Sequence, residues 1–231
     1  MGSAYWQGFR AGAPFVLVVA PFGLLFGVVA AEAGLDIVQT MAMTILVIAG
    51  ASQFAAVQLL SDNAPTIVAI LTGLAVNMRM AMYSASLTPH LGKANLGKRA
   101  LAAYFLVDQN YAVSIAEYEK NPARPLPEKL AYFFGAVSPI APLWYGFTFV
   151  GAVAGKAIPP AYALDFAVPI TFIAIVAPAL RSLPHIAAAF VSVTVALLLA
   201  WLPYNSGLMV AALLAMMTGA AIEKRLEKAH G

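Results

Sequence analysis

Residues 50–80 read GASQFAAVQLLSDNAPTIVAILTGLAVNMRM, and the polar ends of this stretch decide how the chain is read. Gly50-Ala51-Ser52-Gln53 interrupts an apolar run that begins at Ile37. Asn77 and Arg79 lie deep in a second run that begins near Thr66. A charge at such a depth costs about 2.5–3.5 kcal/mol on insertion scales, so it normally faces a cavity or a partner. The two interruptions are expected to form much of one binding site inside a membrane.

Composition supports the membrane reading. The 231 residues are 62% hydrophobic and 10% charged, whereas a soluble domain carries about 25% charged residues. Lipid offers no water to unpaired backbone groups, so apolar runs of this kind are helices. The fold class expected is all-α: a polytopic transmembrane helical bundle forming a single transporter domain over 1–231, in the cell membrane. Cysteine is absent, which excludes disulfides and thiolate metal sites. The net charge of +3 is too small and scattered to suggest nucleic acid as a partner. No H-E-x-x-H, G-x-S-x-G or P-loop occurs, so neither an enzyme nor a cofactor is expected.

About 20 mostly apolar residues make a span. Such runs fall at 12–31, 37–60, 66–87, 130–153, 163–180, 185–202 and 207–222, with a shorter one at 100–116. The expectation is seven to eight apolar helical segments, some discontinuous or re-entrant. The polar stretch 117–129, EYEKNPARPLPEK, reads as a connector between halves at about 10–116 and 130–222. PFGLLFG, from Pro21 to Gly27, resembles LWYGFTFVG, from Leu143 to Gly151, which predicts an internal two-fold repeat of the kind secondary transporters use. Gly23 and Gly27 form a G-x-x-x-G that suits close helix packing.

Topology raises a conflict. A cytoplasmic N-terminus with eight full crossings puts Lys93, Lys98 and Arg99 outside, against the preference of basic loops for the cytoplasm. One re-entrant element before that loop removes the conflict, and the GASQ segment is the candidate.

Arg79 offers a fixed fork of donors suited to a carboxylate. The alternative is a structural ion pair with Asp108, itself a candidate proton carrier. Gly50, Ser52 and Gln53 would expose backbone to a ligand, since a helix restarting there aims its free N–H groups at an anion. A simple packing kink is the rival reading. Asn77 is two residues from Arg79 and so faces another way on an unbroken helix. Asp165 reads as a helix N-terminal carboxylate and a secondary candidate. His90 and His185 look ordinary.

Taken in order, GASQFAAVQLL, NMRMAMYSASLTPHL, YFLVDQNYAVS and LDFAVPITFIAIVAPALRS resemble the AzlC family of branched-chain amino acid exporters. The resemblance implies export of leucine, isoleucine, valine or analogues, driven by the proton gradient, and a small AzlD-type membrane subunit as partner. It maps the family's polar positions onto Gln53, Asn77, Arg79, Asp108 and Asp165. This chain has Met80 where many members have His, and Gln109 where many have a second acid, so two titratable groups of the family pattern are missing. The rival readings are a channel or passive facilitator for a small solute, and a non-transporting subunit of a membrane complex.

Overall fold

A computed structural model describes residues 2–155, 180, 182–202 and 206–230. The expected sixth span and Asp165 lie outside these residues. Every described element is helical. In chain order they are α1 (Gly2–Gly12), α2 (Val16–Glu32), α3 (Ile37–Leu46), α4 (Gly50–Ser61), α5 (Thr66–Val76), α6 (Met78–Leu91), α7 (Leu96–Tyr104), α8 (Asp108–Lys120), α9 (Leu126–Val137) and α10 (Ala141–Gly155). The helices Leu183–Leu198 and Ser206–His230 follow.

Four helical stretches among the described residues are long and apolar enough to cross a membrane: Gly2–Glu32, Thr66–Leu91, Leu126–Gly155 and Ser206–Leu226. Two shorter apolar helices, Ile37–Leu46 and Leu183–Leu198, accompany them. The protein is therefore an all-α polytopic membrane bundle, but among the described residues four candidate spans are found where seven to eight apolar segments were expected. The reason is local. The runs at 37–60 and 100–116 each break into two short helices, at residues 47–49 and 105–107.

The chain divides into two compact units. One takes the chain up to Gln58 and resumes at Ile70; the other takes Leu59–Ala69 and the C-terminal helices. In the second unit, Leu183–Leu198 and Ser206–His230 pack side by side. A Cβ on Gly219 would sit 3.4 Å from the Ala188 Cβ.

The first unit is built on two long broken helices. α1 and α2 are joined through a 3-10 turn, Ala13–Phe15, with Pro14 inside it. α9 and α10 are joined through a turn at 138–140 that contains Pro139. Proline removes a backbone donor and crowds the preceding turn, so each break is placed by sequence. The helices pack with backbone against backbone. A Cβ on Gly8 would strike the Tyr132 carbonyl, one on Gly135 the Tyr5 carbonyl, one on Gly27 the Thr148 carbonyl, and one on Gly151 the Leu24 carbonyl. Partners advance together from Gly8–Tyr132 to Gly27–Thr148, so the two helices run in the same direction. Small residues permit this approach.

Arg10 and Lys129, with Glu128, mark the Gly2 end of this pair and Glu32 the other, here called the basic and the acidic end. α3 starts at the acidic end, capped by Asp36: its carboxylate accepts from the Gln39 backbone N–H at 2.7 Å, and its own N–H donates to the Gln39 side chain at 2.9 Å. α3 runs inward until Thr44, whose hydroxyl accepts from the Trp144 indole at 2.7 Å. Val47 then leaves the helix (φ −132°, ψ 90°). α4 restarts at Gly50 and lies antiparallel to α5, because Ser52 and Gly73 approach each other across the turn at Asn63 (φ 54°).

α5 and α6 form one long helix interrupted at Asn77. It ends at the basic end, where His90 Nδ1 lies 3.4 Å from Lys129 Nζ at the start of α9. So α5–α6 runs toward the basic end and α4 away from it. α3 and α4 form a hairpin open at the acidic end, with its tip at 47–49.

A second hairpin enters from the other side. α7 begins at the basic end, where the Asn95 side chain caps it by accepting from the Lys98 N–H at 3.0 Å. It ends at Tyr104. α8 then returns alongside α6, as Arg79–Asp108 at 3.1 Å, stacked Tyr83–Tyr111 rings at 4.0 Å and His90–Tyr118 rings at 5.2 Å show in succession. Its C-terminal side reaches α1 through Arg124, which donates to Gln7 at 2.9 Å. The short run at 100–116 is thus no span; it supplies both arms of a hairpin. Lys93, Lys98, Arg99, Lys120, Arg124 and Lys129 all lie at the basic end.

Candidate functional site

The polar interruptions coincide with the breaks. Gly50, Ser52 and Gln53 form the first turn of α4, directly after the tip at 47–49. Asn77 is the break between α5 and α6, and Arg79 is the second residue beyond it. Asp108 is the first residue of α8, directly after the tip at 105–107. A break leaves helical N–H and C=O groups without intrahelical partners, so polar residues are tolerated there and can serve a ligand.

Arg79 and Asp108 meet in an ion pair, Nη2 to Oδ2 at 3.1 Å, with side chains 32% and 39% exposed. The hydroxyl of Tyr83, one turn further along α6, reaches the same carboxylate. The N-terminus of α8 also complements it. Asn77 precedes this pair, and Ser52 lies against Gly73, one turn before Asn77. Gln53 is fully buried and makes no hydrogen bond to Arg79 or Asp108. Close by, Phe22, Phe26, Phe54 and Trp144 form an aromatic cluster, with Phe22–Phe54 centroids at 4.9 Å and Phe26–Phe54 at 5.4 Å. Gly50 fits beneath Phe22 and Trp144, where a Cβ would lie 2.8 and 2.9 Å from their rings.

Unused hydrogen-bonding capacity concentrates at these residues. Seven buried side-chain polar atoms among the described residues lack a partner: Gln53 Nε2 and Oε1, Asn77 Oδ1, Arg79 Nε, Asp108 Oδ1, Arg124 Nη1 and Thr148 Oγ1. Five of the seven belong to four residues singled out from sequence alone. Buried polar atoms are normally satisfied, and each exception calls for a reason.

Two participants escaped the sequence. Tyr83 stands behind Asp108. Tyr104 joins the hairpin tips, its hydroxyl donating to the Ile45 carbonyl at 2.6 Å and lying 2.8 Å from the Tyr145 hydroxyl. A tyrosine in an apolar run reads as an interface anchor; only the adjacent break hints otherwise.

The comparisons with known proteins identify the family. The family model AzlC protein matches residues 14–158, more than half of the chain and nearly all of the first unit. The chain belongs to the AzlC family. This AzlC protein is 31% identical over 206 residues to a protein of Archaeoglobus fulgidus described as an uncharacterized membrane protein, covering 87% of each chain. It is 27% identical over 178 residues to the inner membrane protein YgaZ of Escherichia coli (strain K12), covering 74% of this chain and 71% of that one. No solved structure matches. It is a multi-pass protein of the cell membrane and a membrane transport protein of the AzlC family.

Proposed function

We propose that this AzlC protein exports branched-chain or similar neutral aliphatic amino acids, with the proton gradient as the drive. The observation that carries the reading is the concentration of unpartnered buried polar atoms on Gln53, Asn77, Arg79 and Asp108. A zwitterion needs a cation and an anion close together, and Arg79 and Asp108 supply both at 3.1 Å. In the proposed complex the α-carboxylate takes the Arg79 guanidinium, and the α-amino group takes Asp108. The N–H groups that open α4, from Gly50 to Ser52, supplement the carboxylate site. The apolar side chain rests on the aromatic cluster beside Gly50.

Asp108 serves either the α-amino group or proton coupling; as the proton carrier it would be the carboxylate released from Arg79 when substrate claims the guanidinium. The reading further includes the internal repeat. Its support is the reciprocity of Gly8–Tyr132 with Gly135–Tyr5, and of Gly27–Thr148 with Gly151–Leu24. Because those helices are parallel, a repeat of this kind would follow an axis along the membrane normal. Asp165 stays a secondary candidate, and an AzlD-type subunit the proposed partner.

Orientation follows from charge. Basic loops prefer the cytoplasm, so the end holding Lys93, Lys98, Arg99, Lys120, Arg124 and Lys129 is assigned there. The α3–α4 hairpin is then re-entrant from outside and α7–α8 from inside. Two half-depth hairpins abutting near the middle suit alternating access better than an open channel. The test is leucine or valine efflux from proteoliposomes. Arg79→Ala abolishes it while the protein stays folded; normal efflux in that variant rejects the site. Substrate accumulation against its gradient separates transporter from channel.

A further inference from the structure

We propose that the groove between α6 and α7 at the basic end binds an anionic phospholipid, at a site separate from the transported solute's. The groove has a volume of about 510 Å³ and is open along one side. Its walls are apolar: Leu87, Leu91, Leu96, Leu106 and Phe133 line it, and Arg99 stands among them. Sites for small ligands span about 300–1,000 Å³. Gly92, Leu96 and Arg99 belong to the basic end, while Ser84 and Leu106 lie deeper, so an apolar depth opens under a charged mouth.

Charge identifies the occupant. Lys93, Lys98 and Arg99 are all exposed, and none forms an ion pair among the described residues. On α7, which carries Lys98 and Arg99, Leu96 at the groove is 76% exposed and Leu101, outside the groove lining, 48%. Cations beside outward-facing leucines place α7 at the boundary between headgroups and acyl chains. A neutral lipid would fill the groove and leave the three cations unanswered. An acidic soluble peptide would answer the cations and leave the leucines wet. A phospholipid with net negative charge does both, with its phosphate at Arg99 and Lys98 and one acyl chain running toward Ser84 and Leu106. Basic pockets at the cytoplasmic ends of membrane helices take such headgroups.

Native mass spectrometry of the full-length, delipidated protein tests this, titrating phosphatidylglycerol against phosphatidylcholine with the same acyl chains. The expected result is tighter phosphatidylglycerol binding, weakened about fivefold for each charge removed in Lys98→Gln and Arg99→Gln. Ala103→Trp keeps every cation and fills the groove, so it weakens both lipids; Ala100→Phe replaces it if the tryptophan variant fails to fold. Equal affinity for the two lipids overturns the proposal. So does a phosphatidylglycerol preference that survives Lys98→Gln/Arg99→Gln. Unchanged binding in the groove-filled variant assigns the charges to the surface alone, and a co-purified membrane subunit cross-linked into the groove assigns it to a protein; either also overturns it.

Discussion

The Tyr104 hydroxyl donates to the Ile45 carbonyl oxygen at 2.6 Å and so ties the tip of one hairpin to the tip of the other. Ile45 lies in the last turn of α3, where carbonyls lack an intrahelical partner. With its proton committed there, Tyr104 accepts from Tyr145 at 2.8 Å. Tyr104→Phe should remove this hydrogen bond between exposed residues and lower stability by about 0.5–1.5 kcal/mol. It should also raise passive substrate leak in proteoliposomes. Wild-type thermal midpoint and wild-type leak together would mean that the tips are held by something else.

Arg79 and Asp108 should be coupled beyond their separate worth. Each single alanine variant strands a charge, whereas the double variant strands none. A double-mutant cycle in thermal stability should give an interaction of about 0.5–3 kcal/mol, toward the smaller end because the side chains are 32% and 39% exposed. Strictly additive losses would show that the pair is incidental. For coupling, Asp108→Asn should flatten the pH profile of efflux; a profile like wild type removes Asp108 as carrier.

Gln53 should separate stability from function. Its amide is fully buried with both polar atoms unpartnered, a state that costs about 1–3 kcal/mol. Gln53→Leu should therefore keep or raise the thermal midpoint and still weaken substrate binding, as read by calorimetry. A less stable variant with intact binding would make Gln53 a structural residue.

Gly27 and Gly151 should tolerate no side chain. A Cβ on either would run into the facing backbone carbonyl, while one on Gly146 would meet nothing within 4 Å. Gly27→Ala and Gly151→Ala should each lose about 1–3 kcal/mol from overpacking, and Gly146→Ala should be neutral. Equal effects at all three positions would argue against direct backbone contact.

Sidedness can be read by labelling, because the native chain carries no cysteine. Single cysteines at Lys98 and Lys120 should react with an impermeant maleimide only from the cytoplasmic face, and one at Asp36 only from the other. Reaction of Lys98→Cys and Lys120→Cys from different faces would require α8 to cross.

Much of this layout was legible beforehand. Gly50 to Gln53 and Asn77–Arg79 announced helix breaks because polar residues in an apolar run must have somewhere to face. The mismatch of Lys93, Lys98 and Arg99 with a simple count of crossings pointed to a re-entrant element. What hydropathy could not convey was direction. Residues 37–60 are long enough to cross, and only the approach of Ser52 to Gly73 and of Thr44 to Trp144 shows that they double back. Residues 100–116 hid a second reversal at 105–107 for the same reason. Tyr104 is not legible in the sequence because its role is defined by Ile45, a residue distant in the chain.

The glycine contacts between the two long helices carry a kinematic consequence. Where main chain abuts main chain, no flexible side chain lies between to absorb sliding, so α1–α2 and α9–α10 behave as a stator. Within the first unit, any motion that the proposed transport needs is then expected in the shorter arms of the two hairpins, α3–α4 and α7–α8.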